Sequence, residues 1–267
     1  YRESPKRVND ILHTKLDLKF DIPKALVYGK ATITFKPYFY PVNSLELDAI
    51  GFQINKIKGS GSLNELDLKY NYDGKKLSID LGKTYTSKDT LTIFIDYIAK
   101  PDEQAQGSSD AIVSDKGLYF INKDGSQPGF PTQVWSQGET QANSKWFPTI
   151  DAPNERMTQE ITLTVNKKYT TLSNGLLLSQ KENEDGTRTD YWKQSLPAAP
   201  YLTMIAIGEY GVVKDKYKNI EVAYYVEPAY VKYAKQIFGN TPEMIAYFSN
   251  LLGVEYPWEK YAQIAVR

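Results

Sequence analysis

The chain has 267 residues with 32 Lys+Arg and 32 Asp+Glu, and this zero net charge excludes a global electrostatic attraction to nucleic acid or to an anionic membrane. It contains no cysteine and a single histidine, His13, which excludes disulfides, thiolate nucleophiles and a zinc site made from several histidines of this chain. The hydrophobic fraction of 41% is typical of a globular protein. No apolar run reaches the roughly 18 residues of a membrane span.

From Leu16 to about Gly208 the apolar residues recur with a period of two, which predicts half-buried β-strands. Turn dipeptides such as Asp73-Gly74 and Asn174-Gly175 separate these runs. The pattern predicts a large antiparallel sandwich or curved sheet. The clearest alternating runs are Leu16-Leu18-Phe20-Ile22, Ala31-Ile33-Phe35, Leu77-Ile79-Leu81, Leu91-Ile93-Ile95-Tyr97 and Ile161-Leu163-Val165.

The pattern changes after Glu227, where apolar residues follow a helical period. Pro228 is expected to begin a first helix that Gly239 ends. A second helix is predicted with Thr241 as its N-cap and Pro242 as its first residue. Gly253 is the predicted end of that helix, and a final strand is predicted over 261–266.

These patterns divide the chain into two parts. Residues 1–208 are expected to form the β domain, and residues 209–267 a short α+β segment. Because the chain ends on a strand directly after two apolar helices, we expect the second part to be the start of a larger domain, and the helices to carry exposed apolar surface.

The densest polar and aromatic stretch runs from Gln133 to Glu139, followed by a second stretch from Trp146 to Pro153. If residues 134–139 form a strand, Gln137 and Glu139 point to the same face, and Gly138 leaves room between them. A carboxylate beside an amide suits a ligand with an ammonium group. Two polar residues at this spacing are also common on a solvated strand face, and spacing alone favours that simpler interpretation.

Three motifs together resemble the aminopeptidase N family of zinc metallopeptidases. Ser136-Gln137-Gly138-Glu139 precedes Phe147-Pro148 and Asp151-x-Pro153 by the interval that family shows. The second motif runs from Leu196 to Gly208-Glu209-Tyr210 and resembles the exit from its N-terminal β domain. The third, Tyr256-Pro257-x-x-Lys260-Tyr261, resembles a segment shortly before its Gly-Ala-Met-Glu-Asn motif.

The resemblance implies a saddle-like antiparallel β-sandwich domain followed by the opening of a thermolysin-like catalytic domain. It implies that the parent protein is a zinc aminopeptidase acting on peptides with a free N-terminus. Glu139 would accept the substrate's α-ammonium, and Gln137 would hydrogen-bond the first residue. The zinc ligands, the His-Glu-x-x-His helix and the rest of the catalytic domain would lie past Arg267. This chain alone is then expected to bind no catalytic zinc and to be inactive.

The sequence departs from the family at three places. Asn143, Ser144 and Lys145 stand where the family often has Arg, Thr149 replaces a frequent Cys, and Gly138 replaces bulkier residues. The last change leaves the preference for the first substrate residue open. The family also tends to hold the peptide bond after its amine-binding glutamate in cis, so the resemblance predicts a cis Glu139–Thr140 bond.

Two other functional classes remain open from the sequence. One is a non-catalytic β-sandwich module that binds carbohydrate or protein, for which Tyr119, Phe120, Phe130, Trp135 and Trp146 would be a stacking platform, although core packing is the simpler interpretation. The other is an inactive relative of the family that serves as an interaction protein. The processed-looking N-terminus and the resemblance to bacterial peptide-scavenging enzymes favour a secreted or periplasmic location, with a cytoplasmic one open.

Overall fold

The computed structural model describes residues 6–63, 66–104 and 115–267. About half of these residues lie in β-strands. The alternating runs fall on strands, as the period of two predicts. The strands are β1 (Asn9–Asp21), β2 (Leu26–Pro37), β3 (Val42–Asp48), β4 (Gln53–Ser60), β5 (Tyr70–Tyr72), β6 (Lys76–Tyr85), β7 (Leu91–Ala99), β8 (Leu118–Ile121), β9 (Gln133–Ser136), β10 (Met157–Asn166), β11 (Thr170–Ser173), β12 (Leu176–Glu182), β13 (Thr187–Ala198), β14 (Ile205–Gly208), β15 (Gly211–Tyr217), β16 (Ile220–Val226) and β17 (Lys260–Ile264).

The largest sheet has seven strands in the order β12-β13-β10-β1-β2-β7-β4. Its apolar positions face the main core, where Ile33, Ile93 and Leu163 are fully buried, while the alternate positions of the same strands are partly exposed. Most neighbours are antiparallel, but β1 and β10 are parallel. Parallel pairing needs a long connection. Eight strands lie between β1 and β10 in the sequence, and five of them belong to other sheets.

Two smaller sheets complete the β domain. One has the order β11-β14-β9-β8 and the other β3-β6-β5. The mainly β architecture with several antiparallel sheets confirms the predicted fold class. Strand β9, in the four-stranded sheet, leads directly into the segment that carries Gln137 and Glu139.

The two predicted helices are α1 (Val231–Phe238) and α2 (Thr241–Leu252). Pro228 begins a single 3-10 turn ahead of α1, and Gly253 ends α2 with a φ of 65°. The prediction of Thr241 as N-cap was wrong: Thr241 is the first helical residue and Asn240 precedes it. The Thr241 hydroxyl lies 2.7 Å from the Phe238 carbonyl oxygen and 2.8 Å from Oε1 of Gln263, so it joins α2 to its surroundings instead of capping it. Neither helix has the length and apolar character to cross a bilayer, within the part of the chain that the structure describes.

The last strand, β17, joins β15 and β16 in a three-stranded sheet and runs parallel to β16. It begins one residue earlier than predicted and ends at Ile264. One face of this sheet adds Ala223 and Tyr225 to the main core. The other face packs on the helices in a second cluster that includes Val222, Tyr224, Val226, Ala234 and Ile245. The proposed division at Gly208 stays a prediction.

Candidate functional site

The segment with Gln137 and Glu139 is a turn, so the prediction that residues 134–139 form one strand was wrong. Strand β9 ends at Ser136, which pairs with Leu118, the first residue of the antiparallel strand β8. The Gln137 amide donates to the Gly117 carbonyl at 2.9 Å, and the Ala142 amide donates to the Gly138 carbonyl at 2.9 Å. The chain therefore turns back immediately after β9. The argument that alternation places both side chains on one strand face does not hold.

Both candidate side chains are nevertheless accessible at this turn. Gln137 is half-buried and Glu139 is exposed. Among the described residues, no hydrogen bond or ion pair occupies either side chain. The Glu139–Thr140 peptide bond is cis, which confirms the expectation drawn from the family resemblance.

Gly138 is required by the packing of the turn. A Cβ at this position would lie 2.4 Å from Nδ2 of Asn143 and 2.4 Å from the carbonyl oxygen of Tyr201. The space is therefore filled by the protein and is not a gap between Gln137 and Glu139. The effect of Gly138 on the preference for the first substrate residue stays a prediction.

Asn143 fixes the base of the turn. Its Nδ2 donates to the carbonyls of Pro200 (2.7 Å) and Thr203 (2.9 Å), and its Oδ1 accepts from Nε1 of Trp146 at 2.7 Å. The side chain is fully buried, so these bonds satisfy its polar atoms out of contact with water. The sequence showed Asn143 only as a departure from the family pattern, and no local periodicity indicates its partners some 60 residues away.

Asp151 closes the other end of the same segment. Its Oδ2 accepts from the Ser144 amide at 2.9 Å, and its carbonyl accepts from Nε2 of Gln141 at 2.6 Å. Its amide donates to Oδ2 of Asp48 at 3.0 Å. Burial raises the pKa of Asp151 to about 6, against the lowering effect of the Ser144 hydrogen bonds. The bond from the Ser144 amide gives the Asp151 side chain a role in fixing the local backbone, as turn-forming aspartates do.

The aromatic residues considered as a stacking platform do not share one exposed surface. Trp146 is fully buried and accepts, through its carbonyl, a 3.1 Å hydrogen bond from the Tyr97 hydroxyl. Tyr119 and Trp135 stack with their ring centroids 4.4 Å apart. Phe130 is the exposed member of the set, and it lies under the guanidinium of Arg267. This arrangement supports packing over carbohydrate stacking.

The residues of this chain do not fit a catalytic zinc site. His13 is the only histidine of the sequence. It lies on β1, where its Nδ1 is 2.7 Å from Oγ1 of Thr158 and its Nε2 is 3.8 Å from Glu160. Within residues 6–63, 66–104 and 115–267, no three His, Cys, Asp or Glu side chains are grouped to hold a metal ion.

Arg267 lies against the strand that leads to Glu139. Its amide donates to Oε1 of Gln133 at 3.0 Å, and its carbonyl accepts from Nε1 of Trp135 at 3.1 Å. Its guanidinium pairs with Glu227 through bonds of 2.6 and 2.9 Å. The segment after β17 is therefore fixed to β9 next to the candidate site.

Comparison with known proteins links this geometry to one family. A family model described as the Peptidase M1 N-terminal domain matches residues 10–202. Aminopeptidase N of Haemophilus influenzae is 27% identical over 273 residues, which cover 100% of this chain and 28% of that protein. Transcription initiation factor TFIID subunit 2 of Gallus gallus is 25% identical over 153 residues, 56% of this chain and 13% of that protein.

Solved structures agree on the fold. An M1 zinc metallopeptidase from Deinococcus radiodurans superposes with a TM-score of 0.79 at 18% identity, covering 98% of this chain and 57% of that one. The chain thus spans little more than half of this structure, and 28% or less of the two curated relatives. Because the family model covers most of the 267 residues, the chain belongs to the M1 peptidase family, and residues 10–202 are its N-terminal domain.

Proposed function

We propose that the chain is the N-terminal portion of a zinc-dependent aminopeptidase and that it recognises the free amino terminus of a peptide substrate. Glu139 accepts the substrate's α-ammonium, and Gln137 hydrogen-bonds the first residue. The observation that carries this proposal is an exposed Glu139 carboxylate, without an ion pair among the described residues, on a turn whose base is fixed by the buried Asn143.

The chemistry of this pair explains the specificity for a free N-terminus. An ammonium group donates three hydrogen bonds and carries the charge that a carboxylate attracts, whereas an acetylated amine offers one neutral donor. A second carboxylate, from a motif beyond Arg267, would complete the ammonium site. Zinc and its ligands would also come from residues outside these 267, so this chain by itself would not hydrolyse peptides.

The exposed surfaces of α1 and α2 favour an interface with the remainder of the catalytic domain. Each helix exposes apolar residues at helical spacing, and exposed apolar surface of this kind marks interfaces. The patch, here called the helix face, consists of Tyr233, Ile237, Met244, Tyr247, Phe248, Leu251 and Leu252. A segment continuing from Arg267 would begin beside β9, close to the turn that carries Glu139.

Hydrolysis by the longer natural polypeptide that contains this chain tests the proposal. We expect release from aminoacyl amides that chelation abolishes, and no release from Nα-acetylated amides. Glu139→Gln removes the charge but keeps the shape, so KM for free-amine substrates should rise about tenfold or more. Glu184→Gln, at another exposed glutamate, is the matched control. Unchanged KM in Glu139→Gln would contradict the role of Glu139.

An inactive interaction protein is the second candidate. It is supported by the similarity to a protein named as a transcription initiation factor subunit. The same experiment separates the two candidates. A folded, zinc-loaded parent that releases nothing from any aminoacyl amide would favour the inactive relative, and Glu139 would then be a solvated surface carboxylate.

A further inference from the structure

Lys260 makes contacts that neither the family comparison nor the proposed function uses. It is the first residue of β17, but its side chain leaves the three-stranded sheet. Its Nζ donates to the carbonyl of Ser173 at 2.6 Å and to the carbonyl of Gly175, and it lies 5.0 Å from the ring centroid of Trp192. All three partners belong to the β domain that precedes residue 208.

The turn that receives the Lys260 ammonium has a fixed shape. Gly175 has a φ of +70°, and a Cβ there would lie 1.9 Å from the carbonyl oxygen of Lys193, so the turn is pressed against β13. Asn174, between the two accepting carbonyls, donates to the Leu202 carbonyl at 3.0 Å and accepts from the Met204 amide at 2.6 Å. The two carbonyls are therefore held in place independently of Lys260.

The ammonium is held by neutral groups. Within the part of the chain that the structure describes, no carboxylate lies within 4.0 Å of Nζ. Burial lowers the pKa of Lys260 to about 8, against the opposing influence of Glu221 and Glu259. A partly buried cation loses hydration and needs partners for its donors. Here two carbonyls and an aromatic face supply them.

The polar contacts of Lys260 lie at the edge of a cavity at this end of β17. A cavity of about 320 Å³ lies beside Lys260 and is lined by Leu172, Leu202, Met204, Tyr256 and Trp258. The other end of β17 is attached through Arg267 to Gln133 and Trp135 of β9. Lys260 and Arg267 thus attach the two ends of the final segment to different sheets of the β domain.

We propose that Lys260 is a positioning residue that sets the three-stranded sheet against the β domain and thereby places the chain after Arg267 relative to Glu139. The second half of this statement rests on the proposed function. The first half concerns only the 267 residues and is testable without activity.

Reductive methylation of the unmodified chain tests the contact directly. Near pH 10 the lowered pKa gives Lys260 little advantage over an ordinary lysine, so access to the amine decides the rate. At that pH Lys260 should react far more slowly than Lys216, an exposed lysine of the same sheet, as measured by mass spectrometry of peptides after a short reaction. Equal rates would overturn the proposal, and this measurement does not depend on the folding of a variant.

Spin labels test the consequence for the arrangement of the two parts, because the chain contains no cysteine to compete for the label. Labels at Gln236→Cys on α1 and Lys181→Cys on β12 span the contact, and both positions are exposed. We expect Lys260→Met to broaden or shift the distance distribution, and Lys216→Met to leave it unchanged. An unchanged distribution in Lys260→Met would overturn the proposal.

The effect on the site is read from kinetics of the longer polypeptide. Lys260→Met should raise KM for aminoacyl amides about tenfold, with bound zinc unchanged and a smaller effect on kcat. A displaced Glu139 would bind the substrate ammonium more weakly in both the ground state and the transition state. An unchanged KM with an altered spin-label distance would overturn the role toward Glu139. Failure of Glu139→Gln to change KM would instead overturn the proposed function and leave the Lys260 contact standing.

Discussion

The seven-stranded sheet and the segment from Ala142 to Asp151 both bury side chains, but buried hydrogen-bonded polar groups are far more frequent in the segment. The sheet buries alternate apolar side chains such as Ile93 and Leu163, whose contribution follows the apolar area removed from water. The segment buries polar residues, with Asn143 and Thr149 fully inaccessible. Its order depends on hydrogen bonds of defined geometry, so it is rigid while every partner is present and sensitive to the loss of any one of them.

Asn143→Ala tests this difference most strongly. The substitution leaves the Thr203 carbonyl and the indole N–H of Trp146 without the partner that Asn143 supplies. It also removes one of two hydrogen bonds from the Pro200 carbonyl, which still accepts from the Thr203 amide. Each unsatisfied buried group costs about 1–3 kcal/mol, so we expect a loss of about 3 kcal/mol or more in the free energy of unfolding. Chemical denaturation of the chain measures it.

Two controls define the comparison for Asn143. Leu163→Ala, in the sheet, should cost about 2–5 kcal/mol through lost burial and a cavity. Asn71→Ala, at an exposed position, should change stability by less than about 0.5 kcal/mol. If Asn143→Ala changed stability as little as Asn71→Ala, the hydrogen bonds of Asn143 would not stabilise the turn. The role that we assign to Asn143 in supporting Glu139 would then be wrong.

The pH dependence of stability tests a second buried polar group, Glu155, through the substitution Glu155→Gln. Glu155 is 1% exposed, and its Oε1 accepts from the Ile11 amide at 2.9 Å. Its Oε2 has no hydrogen-bond partner among the described residues. Burial raises the pKa of Glu155 to about 7, although Arg7 opposes this effect. Because the folded pKa lies above the unfolded value, the contribution of Glu155 to stability is fully present below about pH 4.5 and is lost as pH rises through 7.

Glutamine keeps the acceptor for Ile11 and removes the titration. We therefore expect Glu155→Gln to be more stable than the parent at pH 8, by on the order of 1 kcal/mol, with the difference disappearing toward pH 4.5. Denaturation at several pH values measures this, with Glu184→Gln as the exposed control. A constant difference at all pH values would show that lost packing or the lost Arg7 contact dominates.

The two regions also differ in how far the sequence predicts them. Alternation alone placed Leu16, Ile33 and Ile161 on buried strand faces, because one local rule determines strand and burial together. The pattern at Gln137 predicts a strand, where the structure has a turn. Strand β9 ends where its pairing with β8 ends, at Ser136 opposite Leu118, and local sequence does not show that pairing. The residue at which a strand ends is therefore determined by strand pairing in the folded protein, and not by local composition.

The candidate site was found through the family resemblance. Gln137 and Glu139, at spacing i and i+2, carried little information by themselves, and the surrounding motifs gave them meaning. The residues that support them were missed for a physical reason. Asn143 contacts Pro200 and Thr203, and Lys260 contacts Ser173, across intervals of about 60 to 90 residues, and polar contacts at that range leave no periodic trace.

The smallest expected effect on stability is that of a substitution in the helix face. It tests the proposal that the remainder of the catalytic domain covers this face. Leu251 is 65% exposed, so Leu251→Ser should change the stability of this chain by less than about 0.5 kcal/mol, whereas Ile245→Ala, at a buried position of the same helix, should cost about 2 kcal/mol or more. In the longer polypeptide, the proposed covering of this face predicts that Leu251→Ser becomes destabilising too. A large effect of Leu251→Ser in the 267-residue chain would mean that another copy already covers the face, and its dependence on protein concentration would show this.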